Sequence, residues 1–306
     1  MSDPDTLTPR IAERFARLST EIGFAATHMQ SGTALAINAD ALFPMASVFK
    51  VPVMVEVFRQ AEEGRFALGD RIPMEAAQRS IGSGVMQRLA EGAALTVRDL
   101  VVLMMIISDN TATQMLLDLV GPAAVTATMR RLGLANVNVT LTLPQLFAHA
   151  YNLPLNPPPD YDAMRRLTEA APMDYRSLAF ARSPENTTAT AADMAQLMTM
   201  IFEKRAGSAA SCADMLTILC AQQLRDRVPR YLPVSGVGNK TGTLRGVRND
   251  AGLMMRGDGD TIAFALFTFD RTVLPPGNSR ALAERNALMN DAMADAGEML
   301  WHEFAM

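Results

Sequence analysis

Apolar and polar positions divide the chain into two strand-bearing ends and a helical middle. Near the start, Thr8 and Pro9 can cap and open a short helix with Ile11, Phe15 and Leu18 on one face. Two strand-like stretches follow, IGFAATHMQ (22–30) and TALAINAD (33–40), with Ser31 and Gly32 between them as in a hairpin. From Ser47 to about residue 203 the apolar positions recur at helical spacing, interrupted by turns at Gly64, Gly69, Gly92, Gly121-Pro122 and Gly133, with no convincing strand pair. A further helix runs to about Arg225. Strand patterns return at 236–243, 250–257 and 261–269, and a helix from about Ser279 to Trp301 closes the chain. The expectation is an α/β fold: a sheet subdomain of about residues 1–46 and 204–306, and an all-helical subdomain of about 47–203.

Two helices of the middle tract carry polar residues where none is needed for packing. The run ALFPMASVFKVPVMVEVFRQ (41–60) has no charged face before Glu56 and Arg59, so it reads as buried, yet it opens with Ser47 and Lys50. Lys50 must therefore lie near a dry core. The run LVVLMMII (100–107), another buried helix, follows a capping box of Thr96 and Asp99 and ends at Ser108-Asp109-Asn110.

Composition narrows the function classes. With 306 residues, 49% hydrophobic and 20% charged, and a net charge of −4, the chain reads as an ordinary globular protein with no basic surplus to attract nucleic acid. No apolar run reaches the length of a membrane span. The segment MSDPDTLTPR lacks the basic-then-apolar order of a secretory signal, which gives an expectation of a cytoplasmic location. Cys212 and Cys220 are expected to be reduced core residues of one helix, and the 22 methionines to be mostly core filler. His28 and His302 have no motif around them. Three scattered histidines and two separated cysteines offer no zinc site, and no cofactor is expected. Oligomeric state is not legible.

Lysine usage changes the picture more than net charge does. The chain has 25 Arg but only three Lys: Lys50, Lys204 and Lys240. Arginine cannot give up its proton near neutral pH, whereas a desolvated lysine can act as a base. Lys204 reads as a cation in the last turn of a helix. The other two stand beside hydroxyls. Ser47 and Lys50 are three residues apart on one helical face, so the amine can reach and activate the alcohol, and the helix N-terminus adds N–H groups where an oxyanion would form.

Ser47-Val48-Phe49-Lys50, then Ser108-Asp109-Asn110, then Lys240-Thr241-Gly242 reproduce S-x-x-K, S-D-N and K-T-G in order. On these motifs the chain resembles the serine hydrolases of the class A β-lactamase and penicillin-binding-protein family over essentially its whole length. The resemblance implies an antiparallel sheet flanked by helices, with an all-helical subdomain. It makes Ser47 the nucleophile and Lys50 its base or proton relay, with the N–H groups of Ser47 and Thr243 as oxyanion hole. Ser108 would pass a proton to the leaving group, and Asn110 would hold the substrate amide. Lys240 and Thr241 would hold an anionic group such as a carboxylate, with Gly242 allowing close backbone approach and Arg245 as a second carboxylate contact. Ser83 falls where many family members place an aromatic over the ligand.

One part of the family pattern is missing. Class A β-lactamases carry a glutamate in an E-x-x-L-N loop that activates the deacylating water, but the comparable stretch NVTLTLPQLFAHAYNLPLN (138–156) contains no acid. Glu169, Glu185, Asp160, Asp174 and His149 are the candidates for a substitute. The resulting expectation is a serine hydrolase of small, carboxylate-bearing esters, amides or lactams, with weak or incidental action on β-lactams. A true β-lactamase with a substitute base, and an acyl trap that does not turn over, are the alternatives.

Overall fold

The computed structural model describes residues 4–170, 172–257, 259–272 and 278–304. In chain order the helices are α1 (Pro4–Ala16), α2 (Lys50–Glu62), α3 (Val97–Ile106), α4 (Asn110–Val120), α5 (Pro122–Arg131), α6 (Leu143–Ala150), α7 (Tyr161–Ala170), α8 (Ala191–Phe202), α9 (Ala209–Cys220) and α10 (Ser279–Glu303). The strands are β1 (Glu21–His28), β2 (Ala34–Ile37), β3 (Phe43–Pro44), β4 (Arg71–Pro73), β5 (Ala94–Thr96), β6 (Thr188–Ala189), β7 (Val237–Leu244), β8 (Val247–Arg256) and β9 (Asp260–Phe269).

Five strands form one antiparallel sheet in the order β2-β1-β9-β8-β7, so the two ends of the chain do build it together. Its long strands are apolar on both faces because both are covered. Ile22, Phe24, Ile262, Phe264 and Leu266 point into a layer with α1 and α10, while Ala25, Ala263, Ala265 and Phe267 point into the larger core on the other side. That larger core holds α8 and α9 against the sheet and, beyond them, α2 to α5. No helix among the described residues is long and apolar enough to cross a membrane.

Several boundaries differ from the sequence expectation. α1 begins at Pro4 and carries Pro9 inside it, because Leu7 joins Ile11 and Phe15 as a wholly buried i, i+4, i+8 face. The middle tract does contain a strand pair, β4 with β5, which closes a loop ahead of α3. These strands are three residues each, too short to show a period. The Thr96–Asp99 capping box forms, with Asp99 N donating to Thr96 Oγ1 at 3.0 Å. Lys204 lies past the end of α8, in the left-handed region with φ 61°, rather than in its last turn. Cys212 is buried as expected, but Cys220 is exposed at the end of α9; both are free.

Candidate active site

Local chain geometry decides where Ser47 stands. Residues Ala46–Phe49 form a single 3₁₀ turn that runs into α2 at Lys50. In a 3₁₀ turn the side chains at i and i+3 eclipse, so Ser47 and Lys50 share one side of the chain more closely than an α-turn would arrange. Ala46, just before the serine, is held at φ +46°, and Ser108 at φ +59°, both unfavourable for residues other than glycine and both at the site. Neighbouring backbone fixes these conformations. Asn249, wholly buried on β8, donates to the carbonyls of Pro44 (2.8 Å) and Met45 (3.0 Å) and so anchors the turn to the sheet. Gly242 on β7 packs so close to the turn that a Cβ would come within 2.5 Å of Met45 O.

Asp109 plays the corresponding part for the S-D-N segment. Its carboxylate caps α4 by accepting from Ala112 N at 3.0 Å, and it also accepts from Val85 N (2.6 Å) and Met86 N (2.9 Å). The loop carrying Ser83 is thereby folded over Ser108 and Asn110. Gly84, at φ +107°, makes this possible, since a Cβ there would meet the Asp109 carboxyl at 2.2 Å. Ser83 Oγ donates to Ser108 O at 2.6 Å, and Asn110 N to Ser83 O at 3.0 Å.

Two lysine amines converge on one hydroxyl. Lys50 Nζ lies 2.8 Å from Ser108 O, 2.8 Å from Asn110 Oδ1 and 3.0 Å from Ser108 Oγ. Lys240 Nζ lies 3.1 Å from the same Oγ and donates to Thr241 O at 2.8 Å. Both lysines are wholly buried. Burial pulls the Lys240 amine down to about 7, helped by the Arg227 charge and opposed by Asp250. Lys50 too is lowered, well below the usual lysine range, by burial and then by the Lys240 charge, with Asp109 opposing. The two amines are coupled: a charge on Lys240 favours a neutral Lys50. A neutral Lys50 amine is fully satisfied here, because its two N–H bonds match two carbonyl acceptors and the Ser108 hydroxyl can donate to its lone pair.

Ser47, Ser83, Ser108, Asn110, Thr241, Thr243 and Arg245 all border one cavity of about 460 Å³. Its opposite wall is apolar, with Leu143, Leu146 and Phe147 of α6 and Met173 beyond it, and no carboxylate lines it among the described residues. Lys50, Lys240 and Gly242 stand behind the wall. The Lys240 amine, expected from sequence to hold an anion, is instead enclosed behind Ser108 and Thr241. None of the five candidate substitute bases borders the cavity. Glu169 and Glu185 are exposed, Asp160 accepts from Ala163 N (2.8 Å) at the start of α7, Asp174 accepts from Arg176 N (2.9 Å), and His149 sits elsewhere on α6.

Residues 6–304 match the sequence pattern of the beta-lactamase enzyme family. The chain belongs to that family. A β-lactamase from Sphaerobacter thermophilus, known as a crystal structure, is 30% identical, with a TM-score of 0.76 and full coverage of both chains. The L2 β-lactamase of Stenotrophomonas maltophilia is 40% identical over 104 residues, 34% of either chain, so this chain spans about a third of that curated relative's length. A point mutant of PBP-A, solved as its acyl-enzyme complex with penicillin G, shares the fold at a TM-score of 0.76 and 22% identity over 98% of this chain and 96% of its own.

Within this β-lactamase fold, three supporting groups escaped the motif reading. Arg227, which is 3% exposed, donates to Gly242 O (2.5 Å) and Asn249 O (2.6 Å) and contacts Thr243 Oγ1, bracing the strand that carries Thr243. It lies 13 residues before Lys240 in an irregular loop, so no spacing announces it. Asn249 and Asp250 interrupt an apolar strand, a signal that was visible but unread. Asn239 Nδ2 donates to Asp250 Oδ1 at 2.7 Å, leaving Asn239 Oδ1 and Asp250 Oδ2 with no partner among the described residues. A proton on the carboxyl is the donor this pair lacks, and burial pushes Asp250 up to about 7 despite the Asn239 bond and the Arg227 charge.

Proposed function

We propose that the chain is a serine hydrolase that works through an acyl-enzyme on small esters, amides or lactams and is slow to release β-lactam acyl groups. The observation that carries this reading is a wholly buried lysine, Lys50, three residues from Ser47 and bonded to Ser108, behind a cavity with no carboxylate in its described lining. Ser47 Oγ attacks the carbonyl carbon and its proton passes to Lys50, either directly or through Ser108. The Ser47 hydroxyl has no hydrogen-bond partner among the described residues, so turning toward Nζ breaks nothing. The carbonyl oxygen takes the negative charge against the N–H groups of Ser47 and Thr243, and the Ser108 relay then protonates the leaving group as the C–O or C–N bond breaks.

Deacylation separates substrates. An ester or simple amide loses its leaving group from the cavity, and water entering from that side can be deprotonated by Lys50. A β-lactam keeps its leaving amine tethered to the acyl group, which blocks that approach, and the facing wall of Leu143, Leu146 and Phe147 supplies no second base. Turnover of a chromogenic ester and of a cephalosporin, with intact mass of the protein after each, tests the reading. Ester turnover with a persistent cephalosporin adduct on Ser47 supports it. Rapid turnover of both makes the protein a β-lactamase with an unrecognised base, and adducts without turnover of either make it an acyl trap.

A further inference from the structure

Beside the catalytic cavity, and sharing Arg245 with it, is a second cavity of about 420 Å³. Tyr175, Arg176, Phe180 and Arg182 from the segment between α7 and β6 form one side, and Phe269, Asp270 and Arg271 at the end of β9 form the other. Its charges do not balance. Arg182 and Arg271 share a single carboxylate, Glu21, at 2.9 and 3.2 Å. Asp270 is committed to Arg285 at 2.7 Å. Arg176 and Arg245 have no salt-bridge partner among the described residues.

The cations are also held in place. The Arg182 guanidinium lies over Phe43 at 4.2 Å and Phe269 at 4.7 Å, and Arg271 lies over Phe269 at 5.5 Å. Stacking fixes a guanidinium plane while leaving its edge donors unspent, and Arg182 Nε and Nη2 indeed have no partner among the described residues. Tyr175, packed against Phe180 at 5.1 Å, adds a hydroxyl that is also without a hydrogen bond among them. Aromatic walls with a surplus of fixed N–H donors suit a flat apolar group that ends in an oxyanion, and a cationic ligand would be repelled.

We propose that this arginine-lined cavity is an anion subsite that takes the distal end of the acyl donor, an aromatic or apolar group ending in a carboxylate or phosphate, with Arg245 at the junction between it and Ser47. The subsite itself needs no chemistry at Ser47, but its role in substrate choice rests on the acyl-transfer reading above.

The test therefore has a binding arm and a kinetic arm. Benzoate, phenyl phosphate and neutral benzyl alcohol are titrated calorimetrically into the Ser47→Ala protein, and the two anions are expected to bind at least about tenfold more tightly than the alcohol. Arg176→Glu with Arg271→Glu, both at exposed positions that line only the second cavity, should remove that advantage. Equal binding of all three, or anion binding that survives the double reversal, overturns the subsite. In the otherwise native protein, kcat/KM is compared for aryl esters with a distal carboxylate, phosphate or methyl ester. A preference of about tenfold for one anion, lost in the double variant while the methyl ester reacts as before, supports the role and tells carboxylate from phosphate. No preference with normal reaction of the methyl ester overturns the role. No reaction of any ester, with anion binding intact, overturns the acyl-transfer reading and leaves the subsite standing.

Discussion

Replacing Lys240 by methionine tests the charge coupling between the two buried lysines on which the proposed mechanism depends. Methionine keeps the stem that fills the space and removes only the amine. Lys50 Nζ and Lys240 Nζ lie 3.0 and 3.1 Å from the same Ser108 oxygen, and so stand no more than about 6 Å apart. At an effective dielectric of about 20, two unit charges at that separation repel by about 3 kcal/mol, or about two pKa units. A positive neighbour favours the neutral amine, so its removal must raise the Lys50 pKa. The acid limb of acylation should therefore move up by about two pH units in the variant relative to the native protein. The plateau should also fall by about tenfold, for the loss of one hydrogen bond to Ser108. Because the Lys240 amine is enclosed behind Ser108 and Thr241, neutral and carboxylate-bearing esters should suffer alike. The assay is the pH dependence of kcat/KM for a matched pair of chromogenic esters. An acid limb that stays put or moves down refutes the charge-coupling argument. A loss confined to the carboxylate ester would instead make Lys240 a direct anion contact, as its motif alone suggests.

Ser47→Ala should abolish both turnover and covalent labelling with an unchanged melting temperature, and residual labelling by intact mass would end the serine reading. Leu146→Glu puts a carboxylate on the apolar wall of the cavity and should shorten the lifetime of the penicillin adduct by at least about tenfold, followed by mass spectrometry over time; an equally long-lived adduct would show that the missing base is not what limits release. Asp250→Asn mimics the neutral acid and supplies the donor that Asn239 Oδ1 lacks. The folded carboxyl titrates near 7 rather than in the usual carboxylate range, so stability from its bound proton is full at acid pH and lost as pH rises through about 7. The variant should therefore melt roughly 3–8 °C above the native protein at about pH 8 and nearly with it at about pH 4, and parallel Tm curves across that range would refute the assignment. Arg227→Ala leaves the buried carbonyls of Gly242 and Asn249 without their donor and should cost roughly 3 kcal/mol or more in chemical denaturation; a cost under about 1 kcal/mol would show that the strand does not depend on it.

Sequence by itself determined the ordered motifs and most of the elements that carry them, because those signals are local. Ser47 and Lys50 are three residues apart, and one turn of backbone puts them on the same side of the chain. The capping box at Thr96 is local in the same way, and so is the long apolar strand β9, whose composition leaves no solvent face. Sequence also showed that the 138–156 stretch has no acid, since an absent residue type needs no fold to be noticed. Only the tertiary structure decided how the parts act on one another. Lys50 and Lys240 are 190 positions apart, yet they share one hydroxyl, and a pKa depends on that distance and on the depth of burial rather than on neighbours in the chain. The same holds for Arg227 beneath the K-T-G strand and for Asp250 beside Asn239: each has its role from a partner on a different element, and no spacing encodes it. Lys240 shows the limit most plainly, because its motif names a carboxylate contact, whereas packing of β7 against Ser108 encloses the amine and turns it toward the second lysine.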